Sequence, residues 1–495
     1  MKKLIIYIIP LLLLTSCEKF LDVQPESDTA KEQLFSTEEG FKEALNGVYT
    51  YCSSIDLYGG NLTFSNLDIM AQNYTFTDVN YMKVASFKYN DNILKDKNSS
   101  IWRFAYKAVG NCNEILSAID QKKDLFRDKN YAIIKGEALA LRAYLHFDLL
   151  RMFAPSYKNN PNALAIPYVT KVGITSTPFS SVNEIMERVI ADLTEARTLL
   201  SDSDPILSSS YIVGYPNKVY PDNFTGKKQT EANNASLFLQ NRRHRLNYYS
   251  VCGELARVYL YKGDYVNCLL YAKTVIDSGK FPFALKEDVY NTNNERRDKI
   301  FYPELISGWY VPKLSIDMLV SLFSKPIDAD YQPTYDQLND IYELNTIGGE
   351  DWRYQQWFQK VVDVTPKRAY LIKYTSNSSP LINLHPVMAP AIRLSEMYYI
   401  AAEATFDSDP AKGVEYLNAV RSHRGIIDQL SANISKGQFM DALVKECRKE
   451  FYGESQIFFM HKRLNREIIS TNQIYPASNS IFVYPVPTDE LAYNN

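Results

Sequence analysis

Between Leu246 and Gly279 the chain places Val251, Leu255, Val258 and Tyr259 at i, i+4, i+7 and i+8, then Tyr265, Leu269, Ala272 and Ile276 at similar spacing. Two such runs predict two amphipathic helices, each with one apolar face. Lys262-Gly263-Asp264 separates them, and its glycine lets the backbone reverse without a Cβ penalty. Small Ala256 and Ala272 sit where the helices must approach closely. The unit is patterned like a tetratricopeptide hairpin, which cannot bury its faces alone and so requires stacked neighbours.

The same period supplies those neighbours. Phe41, Leu45, Val48, Tyr49 and Cys52 form the stripe of an early helix, and Ser36 with Glu39 predicts a capping box at its start. Helices follow over Trp102 to Ile119, Ala132 to Phe153 and Val182 to Leu200; the second is apolar around most of its circumference and belongs inside. Gly136 and Ala143 would let it pack closely. Helical spacing returns over Ala391 to Thr405, Ala411 to Arg421 and Gly437 to Tyr452. Glu137, Glu254 and Glu396 each precede a similar arrangement of small and aromatic residues. The predicted fold is mainly α: four tetratricopeptide-like helix pairs form a scaffold, and long loop-rich insertions with a few short strands form a ligand face. The insertions are 53–99, 201–240 and 280–390, with β-like runs at Lys299 to Tyr302 and Tyr370 to Tyr374. Irregular stretches of this length in a folded domain usually have a task.

The first residues change the picture of where this body works. Lys2 and Lys3 precede an apolar run too short to span a bilayer comfortably, and Leu14-Thr15-Ser16-Cys17 closes it like a bacterial lipobox. Residues 1–16 are expected to be a signal peptide, Cys17 the lipid attachment site, 17–35 a tether and 36–495 a single domain anchored by its lipid. The composition, 46% hydrophobic and 22% charged, suits a large core. The formal charge of −3 becomes −5 when Lys2 and Lys3 leave with the leader, which argues against a nucleic-acid partner. Cys52, Cys112, Cys252, Cys268 and Cys447 are odd in number and lack CxxC spacing, so free core thiols are expected rather than a disulfide framework.

Five stretches, in order, resemble one family: Cys17-Glu-Lys-Phe-Leu-Asp with Pro25; Gly136-Glu-Ala-Leu-Ala-Leu-Arg-Ala-Tyr-Leu-His-Phe; Arg393-Leu-Ser-Glu-Met-Tyr-Tyr-Ile-Ala-Ala-Glu-Ala; Val420-Arg-Ser-His-Arg-Gly; and Glu446-Cys-Arg-Lys-Glu-Phe-Tyr-Gly-Glu-Ser with Phe458-Phe459. They resemble the SusD/RagB family of outer-membrane nutrient-binding lipoproteins. The closing Pro485-Val-Pro-Thr-Asp-Glu is similar to that family's C-terminal signature. The resemblance implies a helical scaffold with the ligand bound by its insertions. It also implies a surface-exposed position on the outer membrane, a SusC-like TonB-dependent transporter as partner, a glycan or in some members a peptide as ligand, and no catalysis.

The chemistry of the chain agrees with binding. GxSxG, HExxH, GxxxxGK[ST] and GxGxxG are absent, and the five histidines never fall at metal-ligand spacing, so no metal or cofactor is expected. The chain has 37 Tyr, 24 Phe and 4 Trp. A sugar ring has an apolar C–H face and a rim of hydroxyls, which aromatic rings and Asp, Asn or Arg side chains respectively suit. Within the insertions, Asp68, Asn73, Tyr74, Phe76, Tyr81, Trp309 and Tyr310 are the candidate ligand-binding residues, whereas Trp102 is assigned to core. Arg242-Arg243-His244-Arg245 is expected to be a solvated basic run, and Arg421, Arg424, Arg448 and Arg463 are expected to pair with Glu446 and Glu450. Competing readings are a peptide-binding member of the same family, a tetratricopeptide adaptor binding through Tyr259 and Tyr265, and a surface glycosidase.

Overall fold

The computed structural model describes residues 26–76, 78–173, 175–215, 228–293, 296–311, 332–361, 365–375, 385 and 388–493. Cys17, its lipobox and the leader lie outside the described residues. Among the described residues the α-helices of five residues or more are α1 (Glu26–Leu34), α2 (Glu38–Cys52), α3 (Asn66–Met70), α4 (Val79–Ala85), α5 (Asn92–Ile119), α6 (Asn130–Phe153), α7 (Val182–Leu200), α8 (Tyr248–Lys262), α9 (Tyr265–Ile276), α10 (Tyr335–Tyr342), α11 (Trp352–Trp357), α12 (Leu394–Phe406), α13 (Pro410–Ser422), α14 (Lys436–Glu450), α15 (Gln456–Leu464) and α16 (Thr488–Tyr493).

Four pairs, α2/α5, α6/α7, α8/α9 and α12/α13, pack in series, each helix against the next. Polar caps fix their boundaries. Ser181 and Glu184 form a reciprocal capping box on α7, as do Asn247 and Ser250 on α8 and Ser435 and Gln438 on α14. At α2 the cap is Thr37, whose hydroxyl accepts from Gly40 N. Ser36 and Glu39 do not form the expected box: Ser36 donates back to Gln33 O, and Glu39 pairs with Lys42. The α6 helix is buried on nearly every side, and Gly136 lies against α7, where an added Cβ would stand 3.0 Å from Leu200 Cγ. Gly263 takes φ +82° at the end of α8, and Val251, Leu255 and Val258 face the core. On α9 the buried face is Cys268, Ala272 and Val275, rotated from the expected stripe, and Tyr265 is exposed. The reason is that α9 must satisfy α8 on one side and α12 on the other.

The insertions hold more helix than their polarity suggests: α3, α4 and the first eight residues of α5 fall within 53–99, and α10 and α11 within 280–390. Four two-stranded antiparallel sheets lie among the described residues: β1 (Leu164–Pro167) pairs with β2 (Phe179–Ser181), β3 (Leu305–Tyr310) with β6 (Met388–Arg393), β4 (Phe358–Val361) with β5 (Arg368–Leu371), and β7 (Ile468–Ile469) with β8 (Ile474–Tyr475). Lys299 to Tyr302 is therefore not a strand. Phe301 sits at φ +52° and Tyr302–Glu304 is a 3₁₀ turn, which delays the extended run until Leu305. The second β-like run contributes only its start, Tyr370 and Leu371.

Buried charge, as well as apolar packing, ties these parts together. Arg242 and Arg243 are fully buried rather than solvated. Arg242 bridges Glu137 of α6 at 2.6 Å and Asp204 at 3.0 Å, and Arg243 pairs with Glu231 at 2.5 Å. Near the C-terminus Arg421 pairs with Glu446 and Arg424 with Glu450, as expected, but Arg424 also grips Glu304 at 2.6 Å. Arg353 of α11 joins Asp351, Glu446 and Glu450. Arg448 and Arg463 instead pair with Asp340 and Glu403. Burial opposes charge on Glu446, but Lys449, Arg353 and Arg421 outweigh it and hold the carboxyl at about 2. The five cysteines are free and buried.

Candidate functional site

The insertion between α2 and α5 is built from its interior outward. Asp68 on α3 is wholly buried and accepts from Gly453 N at 2.6 Å, Ser455 N at 2.9 Å and Asn73 Nδ2 at 2.9 Å. Burial pushes its carboxyl up to about 7 against those donors and the charge of Lys373. Tyr452 donates to Asn73 O, and the Tyr74 ring meets Tyr452 edge-on at 5.5 Å. Asp68, Asn73 and Tyr74 thus lie inside, clamping the insertion to the turn after α14. The Asp68 carboxylate, the Asn73 Nδ2 and the Tyr74 hydroxyl are all directed at the protein itself.

From that anchor the chain emerges at Phe76. Asp78 caps α4 by accepting from Asn80 N at 2.7 Å and Tyr81 N at 3.3 Å. One turn of helix brings Tyr81 back onto Phe76, the rings stacking at 5.4 Å and 28°. Both rings are half-buried, and Val79 and Met82 beside them are 64% and 49% exposed. A groove of about 430 Å³ runs along α4 to the start of α5, lined by Asn80, Lys83, Asn90, Asp91, Asn92 and Asp96. Lys83 and Asp91 pair across it at 2.8 Å, and the hydrogen bond from Lys83 holds the Asp91 carboxyl below its usual range. Amides, carboxylates and an ammonium thus line the groove, and α4, which carries Asn80 and Lys83 to it, also carries Tyr81 of the aromatic shelf. The volume falls in the range of small-molecule sites, and this mixture is what a polyhydroxylated ring needs. The groove residues were absent from the sequence-derived candidates. Their signal was the density of Asn and Asp at two successive helix caps, Asp78 and Asp91.

Strand alternation separates the remaining candidates. Trp309 on β3 points inward, stacked on Tyr58 at 4.5 Å and 9° with Tyr144 edge-on at 5.5 Å, and it belongs to the core with Trp102. Tyr310 points outward, 55% exposed, its ring parallel to that of His244 at 5.8 Å. Phe76, Tyr81 and Tyr310 are therefore the candidates that reach solvent.

No described helix is long and apolar enough to cross a membrane. Residues 19–213 match a family model described as starch-binding, associating with outer membrane, and residues 276–494 match the SusD family model. SusD-like protein P38 of Formosa agariphila is 22% identical, the match covering 97% of this chain and 94% of that protein. A SusD-like carbohydrate binding protein from Bacteroides vulgatus superposes with a TM-score of 0.70 at 18% identity, covering 92% of this chain and 96% of that one. A SusD superfamily protein from Bacteroides thetaiotaomicron gives 0.69 at 22%, with coverage of 92% and 98%. The two family models together span both the scaffold and the insertions, and the chain belongs to the SusD/RagB family.

Proposed function

We propose that this chain is a lipid-anchored glycan-binding protein of the outer-membrane surface, which captures an oligosaccharide or polysaccharide and delivers it to a SusC-like TonB-dependent transporter without altering it. The observation that carries the reading is the stacked Phe76–Tyr81 pair on a segment whose helix, α4, also lines a polar groove of about 430 Å³, in a chain whose family is described as starch-binding. Phe76 and Tyr81 offer the face for a sugar ring, Asn80, Asn90, Asn92, Asp91 and Asp96 read its hydroxyls, and Tyr310 supplies a further exposed ring. In this reading the α8/α9 hairpin is scaffold turned toward the transporter, and Cys17 carries the lipid.

Calorimetric titration of the purified body with a glycan panel and a peptide panel tests the ligand class. Saturable binding to a glycan, with no release of reducing sugar, supports the reading. Binding only to peptides moves the chain to a peptide-capturing role, and failure to bind either, together with failure to co-purify with a β-barrel partner, removes it. Loss of all membrane attachment on Cys17→Ser would support the anchor.

A further inference from the structure

Charge along the groove at α4 narrows what it can hold. The lysine of its wall is committed: Lys83 Nζ lies 2.8 Å from Asp91 Oδ2, while Asp91 Oδ1 accepts from Ile93 N at 3.2 Å. Lys95 also acts on Asp91, but from outside the wall. Helix starts attract anions because their unpaired N–H groups carry partial positive charge, and two helices contribute residues to this groove. Both starts are already occupied by the chain's own carboxylates, Asp78 at α4 and Asp91 at α5. Asn80, Asn90 and Asn92 are exposed amides, which donate and accept without net charge. That leaves Asp96. It stands on the groove wall, exposed, and among the described residues its carboxylate has no ion-pair or hydrogen-bond partner.

We propose, on the reading of this groove as a glycan site, that it selects uncharged glycans over those bearing carboxylate or sulfate groups, and that Asp96 is the residue that discriminates. A carboxylate or sulfate brought into the groove would meet Asp96 at like charge. Lys83 could turn to it only by giving up Asp91, which would uncover a second carboxylate and add to the repulsion. A neutral ring rimmed with hydroxyls incurs neither penalty, and it can donate to Asp96 in a charge-assisted hydrogen bond. The same exposed carboxylate thus attracts hydroxyls and repels anions, and specificity between ligands of one backbone needs both elements.

The test is calorimetric titration of the intact folded body with matched pairs that share a backbone: maltoheptaose, cellohexaose and mannohexaose, each against the same chain oxidised at C6 to uronate units. The neutral member of a binding pair is expected to bind about tenfold more tightly at about 0.01 M salt, where charges interact over about 30 Å. The gap should close toward about 1 M salt, where they interact over about 3 Å. Asp96→Asn, which keeps a hydrogen-bonding group of the same shape without the charge, should narrow the gap to about threefold or less, and Asp96→Lys should reverse it. Equal affinities within pairs, or tighter binding of the uronate member, would overturn the proposal and leave glycan binding standing. A gap unmoved by salt, or one that survived Asp96→Asn, would overturn it too, since shape or another charge would then be discriminating. Silence from every pair would remove the glycan reading and this proposal together.

Discussion

Glu450 is met by three guanidiniums at once, from Arg353, Arg393 and Arg424, at 2.7 to 3.0 Å, all of them buried. Removing the carboxylate would leave three cations facing one another away from water. Glu450→Ala is expected to destabilise the protein by about 3–5 kcal/mol, measured as a lower urea midpoint. Glu254 has the opposite sign of pH dependence from Glu446. Burial raises its carboxyl from 4.5 to about 7 despite Arg257 and Arg151. The folded state thus binds that proton more tightly than the unfolded chain. Its contribution is fully present below about 4.5 and is lost as pH rises through about 7. The Tm advantage of wild type over Glu254→Gln should therefore shrink across that window, and parallel Tm–pH profiles would refute the assignment. At this scale the sequence showed that Arg421 and Arg424 could pair with Glu446 and Glu450. It did not show that Glu304 pairs with Arg424 or that Arg353 pairs with Glu450, because partners 120 and 97 residues away leave no local periodicity.

The close crossing of α6 on α7 depends on Gly136, where even a Cβ would press on Leu200. Gly136→Leu should cost about 1–3 kcal/mol through overpacking, read from thermal unfolding, although leucine favours helix more than glycine does. In the α4 segment, Phe76→Ala and Tyr81→Ala should each weaken glycan affinity by about tenfold, corresponding to about 1.4 kcal/mol, with little change in Tm. Trp309→Ala should instead lower Tm by breaking its stack with Tyr58. If Trp309→Ala abolished binding at unchanged stability, the assignment of the shelf to α4 would fail. Helix periods in α5, α7 and α8 were legible because each buries a continuous stripe against a neighbour. Those of α3 and α4 were not, since helices of five and seven residues complete too few turns to display one.

Across the molecule, the C-terminal segment laces the insertion to the scaffold. Tyr89 donates to Ile481 O at 2.7 Å, Tyr484 N donates to Met152 O at 3.0 Å, and Tyr484 Oη contacts Met70 Sδ at 2.8 Å. Truncation after Ser470 should therefore expose residues 66–89 to hydrogen exchange and reduce glycan binding together, while α8 and α9 keep their protection. Equal loss of protection throughout would show that the tail supports the whole scaffold instead. By itself the sequence determined the helix pairs, their order, the turn at Gly263 and the family, because apolar period, caps and short motifs are local properties of consecutive residues. Tertiary structure alone decided which aromatics reach solvent. Trp309 and Tyr310 are neighbours of similar chemistry, and only the pairing of β3 with β6 over Tyr58 turns one ring into the core and leaves the other outside. It likewise decided that Arg242 and Arg243 lie inside, since the acids that neutralise them, Glu137, Asp204 and Glu231, come from segments that only folding brings together.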